Sequence, residues 1–265
     1  MTAHQAKKRF GQNFLHDAQV IARILRAVAP RPGENLVEIG PGLGALTVPL
    51  LAAAGELDVV EIDRDVIPLL LKACGEAPGL RITQADALTL DYGRFLRHPG
   101  PLRLIGNLPY NISTPLLFHL LGFAGQIRDM HFMLQKEVVE RICAGPGEDA
   151  YGRLSVAIAA RAEAVSLFAV GAGAFRPAPQ VTSAVVRLRP RTPDFTVHDW
   201  GDFDRLVAAA FSQRRKRLSN ALKPLLSAAQ IAACDVDPGA RAEVVPPAAF
   251  ARLALAWSRT RPEQG

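Results

Sequence analysis

Leu36-Val37-Glu38-Ile39 runs directly into Gly40-Pro41-Gly42-Leu43-Gly44, and the chain continues as a helix-forming stretch from Ala45 to Ala54. An apolar strand that enters a glycine turn and leaves as a helix is the opening of a βαβ unit, whose next strand lies parallel to the first. The following residues keep that alternation. Leu57 to Ile62 is a second strand, Val66 to Cys74 is helical, and Leu80 to Thr83 and Leu102 to Ile105 are a third and a fourth strand. Strand and helix in alternation imply a parallel sheet covered on both faces. Ahead of it, Asp17 to Ala29 is a helix with Val20, Ile24 and Leu25 on one side and Asp17 as its cap, stopped by Pro30 to Gly33.

Later segments are Met130 to Leu134 as strand, Leu154 to Ala164 as helix, and Ala164 to Val170 and Ser183 to Leu188 as strands. Arg189 to Asp199 mixes prolines with charges and marks a linker, after which Phe203 to Leu226 is expected as one long helix with shorter helical pieces behind it. The expected architecture is α/β: a sheet domain over residues 1–190, with a small helical domain over 191–265. At 49% hydrophobic residues in a chain of 265, both have material for a core.

Cys74, Cys143 and Cys234 are too few and too scattered for a disulfide framework, and no Cys/His spacing suggests a metal. Met1 to Phe10 is polar and basic, unlike a signal peptide, and Lys72, Arg161 and Glu163 interrupt the apolar stretches before they could span a bilayer. A soluble, cytoplasmic protein is expected. A net charge of +6 favours a polyanionic partner.

The glycine spacing is G-x-G-x-G, one residue short of the dinucleotide fingerprint, so the turn suits a nucleoside ligand without a pyrophosphate. Glu61, seventeen residues after Gly44 at the end of the second strand, is placed to accept hydrogen bonds from ribose hydroxyls. Asp63 and Asp65 compete for that role but lie past the apolar strand. Asp86, after the third strand, suits an adenine amine, with helix capping as its plainer role.

Gly106-Asn107-Leu108-Pro109-Tyr110-Asn111 follows the fourth strand. An exocyclic adenine amine is a poor nucleophile because its lone pair is conjugated with the ring. The Asn107 side-chain oxygen and the Leu108 carbonyl can accept its two N–H groups and draw the nitrogen toward tetrahedral geometry. Pro109 stiffens the turn, and Tyr110 offers a face for the base. Phe175, at the head of the proline-rich Phe175 to Val181 loop, is either a second stacking ring or a buried loop anchor. Such chemistry requires no catalytic histidine, and the six histidines show no ligand spacing. Two basic runs, Lys7-Lys8-Arg9 and Arg214-Arg215-Lys216-Arg217, suit RNA phosphates, or in the second case a solvated helix end.

These residues, together with Lys8 to Leu15 (KRFGQNFL), Gly106 to Thr114 (GNLPYNIST), Asp129 to Val138 (DMHFMLQKEV), Tyr151 to Ser155 (YGRLS) and Phe175 to Ser183, resemble the ribosomal RNA adenine N6-dimethyltransferase family over nearly the whole chain. The closer similarity is to its bacterial small-subunit members. The resemblance implies a class I, Rossmann-like methyltransferase fold with S-adenosylmethionine as cofactor and no metal. It further implies transfer of four methyl groups to two adjacent adenosines near the 3′ end of 16S rRNA in the 30S subunit, by a monomer. Asn13 and Leu15 then join Gly40, Gly42, Glu61, Asp86 and Asn107 around the cofactor. Three other readings are a large-subunit rRNA methyltransferase of the macrolide-resistance type, a nicotinamide oxidoreductase, which the glycine spacing disfavours, and a non-catalytic ribosome-assembly factor.

Overall fold

The structure is a computed structural model that describes residues 13–75, 77–213 and 215–260. In chain order the first elements are β1 (Phe14–Leu15), α1 (Ala18–Val28), β2 (Asn35–Ile39), α2 (Thr47–Ala54), β3 (Leu57–Glu61), α3 (Ile67–Ala73) and β4 (Leu80–Gln84). Next come β5 (Leu102–Asn107), α4 (Ser113–Leu121), β6 (Ile127–Gln135), α5 (Lys136–Cys143) and α6 (Arg153–Ala159). The chain continues as β7 (Ala162–Val170), β8 (Phe175–Arg176), β9 (Ser183–Pro190), α7 (Trp200–Ala210), α8 (Leu218–Ala221), α9 (Ala228–Ala232) and α10 (Pro247–Thr260).

It divides into two compact units, Met1–Val139 with Val165–Pro190, and Glu140–Ala164 with Arg191–Gly265. The segment expected to stay in a domain running to residue 190 thus leaves it for 140–164. The reason lies in burial: Tyr151, Val156 and Ala160 share a core with Phe203, Leu206 and Phe250 of the second unit.

The first unit holds a seven-stranded sheet in the order β4-β3-β2-β5-β6-β9-β7. Strands β2 to β6 pair in parallel, as the alternation predicts. The sheet is mixed, however, because β9 returns between β6 and β7 and runs antiparallel to β6. Every residue of β2 and β3 is buried, as central strands covered on both faces should be, and this includes the polar Asn35, Glu38, Asp58 and Glu61. The Asp17 carboxylate accepts from the Gln19 and Val20 backbone N–H groups at 2.8 and 3.1 Å, fixing where α1 begins.

Strand order reverses at β2. The chain builds outward through β3 and β4, then crosses back to lay β5 on the other side. That reversal opens a crevice at the carboxyl ends of β2 and β5, where ligands of open α/β sheets bind.

In the second unit the long helix expected over 203–226 is two helices. α7 ends at Ala210, and α8 begins only at Leu218. Residues 213–217 contain no apolar side chain for a helix to bury, so packing support stops there. Leu218 is then captured from afar, its N–H donating to the Ala240 carbonyl at 2.7 Å and its side chain fully buried.

Candidate nucleoside and amine site

The carboxyl ends of β2, β3 and β5, the start of β1 and the turn after β4 enclose a cavity of about 300 Å³ within the first unit. Its floor is the glycine turn. The Gly40 N–H donates to the Val60 carbonyl at 2.9 Å, tying the turn to β3. Gly42 adopts φ +54°, and a Cβ there would stand 3.1 Å from the Phe14 ring. Backbone and aromatic ring therefore meet at a distance only glycine permits without displacement.

Three carboxylates border this floor. Glu61 ends β3, and its Oε1 accepts from the Asp63 N–H at 2.8 Å. Burial raises its pKa above the ordinary carboxylate value, while backbone N–H groups of Asp63, Gly42 and Ile62 pull it back. The side chain is thus locked by its own loop and faces the cavity. Asp63 and Asp65 do not line it; Asp63 is buried beside Glu61 and accepts from the Asp65 N–H at 3.2 Å. Asp86 lines the cavity and caps its own turn as well, Oδ1 accepting from the Leu88 N–H at 2.9 Å. That turn is braced from below by the buried Tyr92, whose hydroxyl donates to the Ala87 carbonyl at 3.1 Å.

The third carboxylate, Glu38, went unassigned in the sequence because it reads as one more strand residue. It is 2% exposed, lines the cavity, and its Oε2 has no hydrogen-bond partner. Burial pushes its pKa up to about 8, with the Glu61 charge adding to the effect. Its signal in the sequence was an acidic residue in the middle of an apolar strand.

The opposite wall is the turn after β5. A Cβ on Gly106 would lie 2.6 Å from the Ile39 carbonyl oxygen, so the residue before Asn107 has to be glycine for β5 to close on β2. Asn107 Nδ2 donates to the Asn13 carbonyl at 2.9 Å. This fixes the amide's orientation and leaves Oδ1 as the group available to accept a hydrogen bond from a ligand. The Leu108 N–H donates to the Met133 carbonyl at 3.1 Å, which holds the turn against β6. Tyr110 lines the cavity, and its phenol oxygen is 3.1 Å from the Ser183 hydroxyl.

Asn13, Leu15, Gly40, Gly42, Glu61, Asp86, Asn107, Leu108 and Tyr110 therefore border one space. Phe175 does not. It is 3% exposed, pairs with Leu15 across β1 and β8, and packs with Leu15, Met133 and Val185, so pairing with β1 turns it inward as a loop anchor. Lys7, Lys8, Arg9 and Arg214 lie outside the described residues. Arg215, Lys216 and Arg217 are exposed in the connection between α7 and α8 rather than on a helix. Among the described residues no cluster of His, Cys, Asp or Glu could hold a metal ion, and no helix is long and apolar enough to cross a membrane.

A family model for ribosomal RNA adenine dimethylases matches residues 3–257. The chain belongs to that family. Among similar proteins, ribosomal RNA small subunit methyltransferase A of Pseudomonas putida is 53% identical over 252 residues, covering 95% of this chain and 94% of that one. The protein of the same name from Pseudomonas aeruginosa is 54% identical with the same coverage. Of solved structures, a dimethyladenosine transferase from Plasmodium falciparum shares the fold with a TM-score of 0.80 at 24% identity, over 93% of this chain and 98% of that one. The 23S rRNA methyltransferase ErmE aligns with a TM-score of 0.70 at 26% identity, over 93% and 100%.

As a ribosomal RNA adenine dimethylase the protein is an S-adenosylmethionine-dependent methyltransferase of class I fold. The cavity fits that cofactor: Gly42 and the Phe14 ring close against each other at its edge, and the buried carboxylates Glu38 and Glu61 and the more exposed Asp86 line it as acceptors suited to hydroxyl and amine donors.

Proposed function

We propose that the protein dimethylates the N6 amines of two adjacent adenosines near the 3′ end of 16S rRNA, acting as a monomer on the small ribosomal subunit in the cytoplasm. The observation that carries the chemistry is the fixed amide of Asn107, whose Nδ2 is committed to the Asn13 carbonyl and whose Oδ1 is left to accept. The small-subunit target is supported by relatives of that name at 53–54% identity along nearly the whole chain.

In this reading Gly40, Gly42, Asn13 and Leu15 cradle the cofactor, Glu61 accepts from its ribose hydroxyls, and Asp86 accepts from its adenine amine. Bound S-adenosylmethionine supplies an electrophilic methyl group. Asn107 Oδ1 and the Leu108 carbonyl accept the two N–H groups of the target amine and so restore its lone pair. Tyr110 stacks on the base, a contact worth about 1–3 kcal/mol. No general base is required, because the amine sheds its proton to water after it is alkylated. The target adenosine has to be unstacked to reach this depth. Lys7, Lys8, Arg9 and the Arg214 to Arg217 run hold RNA phosphates.

The test is methyl incorporation from labelled cofactor into unmethylated small subunits, with mapping of the modified bases. Two neighbouring dimethyladenosines near the 3′ end of 16S rRNA are expected. Label in 23S rRNA, offered in a parallel reaction, would instead place the protein with ErmE, and no label in either reaction would leave an assembly factor.

A further inference from the structure

We propose that Ser183 is a positioning residue for the methylation reaction: its hydroxyl holds the Tyr110 ring where the target base stacks. The proposal rests on the role given to Tyr110 above. Ser183 itself does not line the cavity, so it acts only through that ring.

The geometry fixes Tyr110 at both ends. At its root, the Tyr110 carbonyl accepts from the Ser113 hydroxyl at 3.1 Å, and the Ile112 N–H donates to the Pro109 carbonyl at 3.2 Å. At its tip, the phenol oxygen is 3.1 Å from Ser183 Oγ, and either hydroxyl is able to donate. A bond at the tip of a tyrosine does not stop the ring spinning about its own axis. It selects χ1, and with it the place where the ring stands.

Ser183 is well built to be such an anchor. It is 1% exposed and opens β9 opposite Gln135 of β6. The Lys136 N–H donates to the neighbouring Thr182 carbonyl at 2.9 Å, which ties this end of β9 to the start of α5. The hydroxyl therefore sits on a paired strand, a more exact support than a loop. Tyr110 is half-buried, so water would replace the lost partner in a Ser183→Ala protein, and the ring would sample other rotamers without unfolding the sheet.

The test is a double-mutant cycle on kcat/KM for unmethylated small subunits, using Tyr110→Phe, Ser183→Ala and the pair, with Tyr110→Ala alongside. Both single variants keep the ring and lose the same hydrogen bond. Each is expected to fall about threefold to tenfold, and the double variant should be no more than about twofold worse than either. Cofactor Kd and melting temperature should stay at wild-type values, which separates positioning from folding. Multiplying losses in the double variant would overturn the proposal, as would wild-type activity in either single one. Should Ser183→Ala fail to fold, Tyr110→Phe breaks the same bond from the cavity side, and full activity there overturns the proposal alone. If Tyr110→Ala is also fully active, the stacking role falls, and this proposal falls with it.

Discussion

Replacing Glu38 by Gln should change how the cofactor-free protein responds to pH. In the fold this carboxyl titrates near 8 instead of at its ordinary 4.5, chiefly because it is buried. Between those two values the unfolded chain has released the proton and the folded chain still holds it. The unfolded state then binds fewer protons, so stability falls as pH rises through the interval. A shift of this size withdraws on the order of 4–5 kcal/mol by the upper end of that interval, since each unit is worth about 1.4 kcal/mol. Glutamine cannot ionise, but its amide inherits the position of an oxygen that has no partner. That should cost about 1–3 kcal/mol at all pH values. The Glu38→Gln protein is therefore expected to be less stable than wild type near pH 5 and more stable above about pH 8.5. Urea denaturation of both proteins across that range measures the difference directly, with titrating groups other than the coupled Glu61 cancelling. A difference that stays constant within about 1 kcal/mol would refute a buried, protonated Glu38.

Asn107→Ala should lower turnover by about 10²–10³, as expected for losing a preorganised polar contact to the reacting group. Calorimetric cofactor affinity should fall far less, and equal losses would remove Asn107 from the amine. Tyr92→Phe deletes the hydroxyl that braces the Asp86 turn while keeping the ring. Cofactor Kd should rise about fivefold with kcat at saturation unchanged, read by titration and steady-state kinetics. Phe175→Ala should destabilise the protein by about 3–5 kcal/mol, the range for emptying a buried aromatic site. If it leaves the denaturation midpoint alone and lowers kcat/KM for RNA, Phe175 acts on the base after all.

Much of the site was legible because it is built from local chemistry. The strand into Gly40, the carboxylate ending β3 at Glu61 and the proline turn after Asn107 are short-range patterns, and a parallel sheet automatically brings the ends of its strands to one side. Sheet register then does the gathering, with Glu38 of β2 opposite Val59 of β3 and Ile105 of β5. Asn13 and Leu15 were reached only through family resemblance, because nothing in their own neighbourhood points to a ligand.

What the tertiary structure decided is whatever depends on residues distant in the chain. Periodicity ran the helix on past Ala210, but the chain ends it ahead of the polar run at 213–217, and Ala240 claims the Leu218 N–H. Prolines left Phe175 free to be presented or buried, and pairing with Leu15 turned it inward. Glu38 is an acid by composition, yet its proton is held by depth and by the Glu61 charge. Hydrophobic pattern and turn chemistry are carried by neighbours along the chain. Burial, electrostatic field and cross-strand pairing are properties of the folded whole, and in this protein they set the titration, the anchoring and the reach of the residues that pattern alone had marked.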